Sequence, residues 1–128
     1  MSAMSDYLEN KVLDHVLGTT AYTMPSTVYL GLSTASFNDD NSGTELTGNN
    51  YSRITVSFST AASGTTSNDS TLEFSAATGS WGTVSHWGVF DASSAGNLLI
   101  HGAFTASKAI ASGDIVRIVS GDIDITAA

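Results

Sequence analysis

The chain has 128 residues, 41% of them hydrophobic, which is enough for one domain that buries about two thirds of its unfolded surface without a disulfide or metal staple. It contains no cysteine, which excludes a disulfide framework and any thiolate zinc or iron–sulfur site. Twelve acidic residues against four basic ones give a net charge of −8, which repels phosphate backbones and anionic lipid, so neither nucleic acid nor a membrane is an expected partner.

The opening MSAMSDYLEN lacks a basic start followed by an apolar core, and no apolar run approaches the roughly 18 residues needed to span a bilayer; the expectation is a soluble, uncleaved chain. The segment DYLENKVLDHVLG predicts a helix from Tyr7 to Leu17, because Leu8, Val12, Leu13, Val16 and Leu17 recur at intervals of three and four and form one apolar stripe. Asp6 is the expected cap, with Glu9 three residues on; Gly18 suits the left-handed position after the last turn, and His15 lies near the negative end of the helix dipole. Leu8, Val12 and Val16 are candidate assembly or packing residues, since a helix this short is marginal without something to pack on.

After Pro25 the hydrophobic period changes from helical to two. Val28, Leu30 and Leu32 alternate with Tyr29 and Gly31, and Ile54, Val56 and Phe58 alternate with Arg53, Thr55 and Ser57, the pattern of half-buried strands. Further strands are expected at Leu72 to Phe74, Val84 to Asp91, Leu98 to Thr105, Ile115 to Val119 and Ile123 to Ile125. Seven or so strands with one short helix predict a single domain over residues 1–128, mainly β, an antiparallel jelly-roll-like β-sandwich. The repeated SGDIV and SGDID read as two turns that enter adjacent strands rather than as a solenoid.

The stretch GSWGTVSHWGVFDASSAGNLLIHGAF, Gly79 to Phe104, concentrates both tryptophans, two of the three histidines and an aspartate. It reads as a β-hairpin turning at ASSAG. Alternation sends His86, Gly88 and Phe90 to one face and Trp87, Val89 and Asp91 to the other, so His86 and Asp91 do not converge on one reacting atom. His101 opposite His86 would supply two metal ligands without a third. Asp91 is expected to accept turn amides, and Trp81 and Trp87 are candidate packing residues; stacking on carbohydrate would need an exposed indole face. The loop NDDNSGTE offers Asp39, Asp40, Asn41 and Glu45 as oxygen ligands, but its spacing is not that of an EF-hand. No phosphate loop or nucleophile elbow is present, so no enzyme, no catalytic or metal residue and no cofactor is expected.

The order of features, LENKVLDHVLGTTAYTMPSTVYLGLST, then the G-T-E-x-x-G-x-x-Y-x-R block of Gly43 to Arg53, the W-G-T-V-x-H-W-G-x-F-D hairpin and SGDIVRIVSGDIDI, resembles a family of small tailed-bacteriophage virion proteins. The likeness covers nearly the whole chain. Members are described as tail-fibre-like or as capsid cement (decoration) proteins, and the resemblance implies a jelly-roll or related β-sandwich assembling as a trimer, with no catalytic motif to transfer. The preferred expectation is a capsid cement protein made in the host cytoplasm, bound to the outer capsid surface with the major capsid protein and itself as partners. The alternative is a tail-fibre or tail-tip module that recognises a host glycan.

Overall fold

A computed structural model describes residues 2–127. The chain is mainly β and antiparallel, with one helix, α1 (Asp6–Val16), among the described residues. Its strands are β1 (Ser2–Met4), β2 (Val28–Ser33), β3 (Ile54–Val56), β4 (Thr65–Ser67), β5 (Leu72–Glu73), β6 (Gly82–Phe90), β7 (Leu98–Ile110), β8 (Arg117–Ile118) and β9 (Asp124–Thr126). Five strands form a sheet in the order β1-β7-β6-β2-β3, while β4 pairs with β9 and β5 with β8 in two short ladders.

Register explains which side chains fill the core. Leu30 stands opposite Val89 and Leu32 opposite Trp87, so these four share one face of the large sheet. Leu72, Ile118 and Ile125 of the short ladders, with Ile123 just before β9, belong to the same buried cluster, which makes the ladders the second layer of a sandwich. On the opposite face Phe37 packs edge-on against Phe90, with ring centroids 5.5 Å apart, and closes a smaller cluster with Leu98. The expected β-sandwich class is therefore observed, with its second layer divided into two ladders.

Two strands escaped the sequence pattern. Ser2–Met4 is held by β7 and Thr65–Ser67 by β9, and neither carries the alternation that marks a half-buried strand. Strand β7 runs on to Ile110, beyond the predicted Thr105, because β6 supplies partners as far as Gly82. Conversely, the strand predicted from Ile115 to Val119 shrinks to Arg117–Ile118, and both end residues are exposed. The SGD turns use one design twice: Gly113 and Gly121 have φ of 89° and 90°. They enter β8 and β9, which belong to different ladders rather than to adjacent strands.

The helix begins one residue earlier than its pattern suggests, and Ser5 caps it instead of Asp6. Ser5 Oγ accepts from the Leu8 amide at 3.2 Å and donates to the Leu98 carbonyl at 2.5 Å, so the cap also ties α1 to β7. Asp6 and Glu9 occupy the first turn, where the dipole favours negative charge. Gly18 adopts φ of 82°, as its place after the last turn requires.

Candidate functional site

The G-T-E-x-x-G-x-x-Y-x-R block forms a structural clamp. Arg53 Nε lies 2.9 Å and its second terminal nitrogen 2.8 Å from the two Glu45 carboxylate oxygens, a bidentate pair. The other terminal nitrogen donates to the carbonyls of Ala92 and Ala95 at 2.7 and 2.8 Å, tying the block to the β6–β7 turn. The guanidinium rests 3.6 Å from the Phe90 ring centroid. Tyr51 donates to Glu45 at 2.5 Å and accepts from the Leu32 amide at 2.9 Å. Burial, and then the Glu45 carboxylate accepting its proton, push the Tyr51 phenol far above its ordinary value. Gly43 has no room for a side chain, since a Cβ there would stand 2.3 Å from the Ser36 carbonyl oxygen.

The hairpin residues also serve the fold. Asp91 accepts from the backbone amide of Asn97 at 2.7 Å and from its side chain at 2.9 Å, the turn role expected of it. His86 stands opposite Ala103 and His101 opposite Gly88, so the two imidazoles are staggered rather than directly paired. His86 Nδ1 is 2.7 Å from Ser85 Oγ, and His101 Nε2 is 2.8 Å from Asp39 Oδ1. The oxygen-rich loop is likewise divided: Asp39 meets His101, Glu45 meets Arg53, and Asp40 accepts from the Ser42 amide. Hydrogen bonds from Ser42, first its side chain and then its backbone, hold the Asp40 carboxyl below the usual carboxylate range.

Both tryptophans are buried, Trp81 to 5% exposure and Trp87 to 2%, so neither offers a stacking face. Trp81 donates its indole N–H to the Asn49 carbonyl at 2.9 Å and meets Tyr51 edge-on at 5.5 Å. Trp87 is among the residues that line a cleft of about 670 Å³, with Phe104 and Thr105 of β7, Gly121 and Asp122 of the β8–β9 turn, and Asp124 of β9. Asn68 fixes that turn. It is 1% exposed, its amide nitrogen donates to the carbonyls of Ser70 and Val119, and its side-chain oxygen accepts from the Ile123 amide at 2.9 Å. Neither the cleft nor Asn68 was evident in the sequence, because the groups come together only when β9, paired with β4, packs beside β1.

The apolar stripe of α1 is divided by the fold. Leu8 packs against the main core and Val12 is half-buried, whereas Leu13, Val16 and Leu17 are 56%, 71% and 74% exposed. Those three lie on one outward flank, at helical spacings of three and four. Contiguous apolar surface of this kind is a mark of assembly surfaces.

No curated protein matches the sequence. A family model described as Podophage GP4 fiber I protein gp80 matches residues 3–126, a span that takes in the helix, the Glu45–Arg53 clamp, the hairpin and the cleft. The chain belongs to this family of phage virion structural proteins.

Proposed function

We propose that the chain is a structural module of a podophage tail fibre that associates with copies of itself, as a trimer, through the outward flank of α1. The single observation that carries this reading is the family match over residues 3–126 to a fiber protein, which favours the tail alternative over the capsid-cement expectation and its major-capsid-protein partner. The surface supports it. Leu13, Val16 and Leu17 extend into solvent from a helix whose other side is docked on β7, and covering them with a second copy removes apolar area from water at about 25 cal/mol per Å². Few charges oppose such contact, since only 12% of the residues are charged. The fibre acts by geometry and adhesion rather than by catalysis.

Antibodies raised against the purified chain test the placement. Immunogold labelling confined to the tail, at a few copies per particle, is the expected result. Labelling spread over the capsid at hundreds of copies would restore the cement reading. Sedimentation equilibrium of the purified protein is expected to return a trimer.

A further inference from the structure

Three of the six large apolar residues left exposed among the described residues, Leu13, Val16 and Leu17, lie on the outward flank of α1, and two more, Ile115 and Val119, bracket β8. Strand β8 lines a groove of about 240 Å³ together with the far part of β7, from Phe104 to Ile110. Ala106 and Val116 extend the apolar lining. Lys108 and Arg117 bring two of the chain's four basic residues to the groove, against one carboxylate, that of Asp122. Arg117 is paired with Glu73 at 2.7 Å, while Lys108 forms no ion pair among the described residues. The volume is below the about 300–1,000 Å³ of small-molecule sites, so the groove is sized for inserted side chains rather than for a ligand.

The flank of α1 carries the complementary pattern. Glu9 stands one turn before Leu13 and two before Val16, on the same side of the helix. It is exposed and forms no ion pair among the described residues. Neither surface is covered within one copy, since Val16 is 71% exposed and Ile115 52%. They also lie at different ends of β7. Ser5 fastens the start of α1 to Leu98 and Leu99. Leu98 stands opposite Phe90 and Lys108 opposite Val84, a separation of about 20 Å along β6.

Copies related by a three-fold axis meet head to tail, so each must present two different surfaces that fit each other. Three α1 flanks meeting on the axis would instead gather three Glu9 carboxylates in one place, on a chain of net charge −8. We infer that the groove between β7 and β8 receives the α1 flank of a second copy, with its leucine and valine side chains entering beside Phe104 and Ile115 and its Glu9 pairing with Lys108. The inference rests on the self-association proposed above and names the surface that completes it.

The chain has no cysteine, so introduced thiols are the only ones present. In a Val16→Cys/Ile115→Cys double variant, a short bismaleimide is expected to join each copy to the next and to give a covalent trimer on a denaturing gel, while Val16→Cys alone and Ile115→Cys alone stay unlinked. Lys108→Glu is expected to raise the concentration of half-association about tenfold in sedimentation equilibrium, and adding Glu9→Lys to it is expected to restore the wild-type value. Glu9 and Lys108 are both exposed, so these variants are expected to keep the wild-type circular dichroism spectrum and to separate lost contact from lost folding. A Val16→Cys protein that links to itself would put α1 against α1 and overturn the groove. A wild-type trimer whose double variant yields no linked product would overturn it too, and would leave the trimer standing. Unchanged association of Lys108→Glu would have the same meaning. A wild-type protein that stays monomeric would remove both the groove's occupant and the self-association on which it rests.

Discussion

Gly31 shows how tightly single positions are determined at the clamp. A Cβ at this position would lie 2.7 Å from Glu45 Oε2, 3.0 Å from Phe90 Cε1 and 3.1 Å from the Tyr51 hydroxyl. Each neighbour is held by another contact: Glu45 by Arg53, Phe90 by the guanidinium and Phe37, and Tyr51 by the Leu32 amide. None can withdraw without breaking a bond. Gly31→Ala is therefore expected to destabilise the protein by about 1–3 kcal/mol, the range of overpacked cores, read as a lower denaturation midpoint at unchanged slope. Gly48, in the same block, has φ of 76° but open space around it, so its requirement is conformational rather than steric.

At the scale of elements, α1 is a helix with two separable duties. Its docked side is set by Ser5, which bonds β7, and by Leu8 and Tyr7, which pack against the main core. Its outer flank holds Leu13, Val16 and Leu17. Leu8→Ala is expected to lower stability by about 1–2 kcal/mol, less than a fully buried leucine because Leu8 is only half-buried. Val16→Asp is expected to leave the monomer's melting temperature within a few degrees and to reduce self-association in sedimentation equilibrium. A Val16→Asp protein that associates as the wild type does would remove α1 from the interface.

For the whole molecule, the buried phenol gives stability a pH limit on the alkaline side. The Tyr51 phenol is raised above its unfolded value of about 10 by burial and by Glu45, so the folded state favours its protonated form. Such a group contributes full stability below the unfolded pKa and loses that contribution as pH rises above it, because ionisation then draws the chain towards the unfolded state. Tyr22 is raised too, by partial burial first and then by Tyr7 and Asp91. Chemical denaturation is expected to show stability independent of Tyr51 up to about pH 10 and falling beyond it, with a shallower fall in Tyr51→Phe. A fall of equal steepness in the variant would mean that other groups set the limit.

The sequence by itself determined the class of the fold, the helix, the hairpin and the family resemblance, because these depend on local period, turn residues and motif order. Leu30 and Leu32 alternate with Tyr29 and Gly31 whatever they pair with, and Gly18 ends a helix by its own backbone freedom. The tertiary structure decided what such local signals do not carry. Ser2–Met4 and Thr65–Ser67 became strands only through their partners, and Ser5 displaced Asp6 as the cap because the Leu98 carbonyl lies within its reach. The clamp joins Glu45 and Arg53 to carbonyls some forty residues away, and the cleft joins Trp87, Phe104, Asp122 and Asp124 across the two layers. Long-range pairing sets these contacts, and side-chain period records only which face a residue occupies, not which distant residue meets it there.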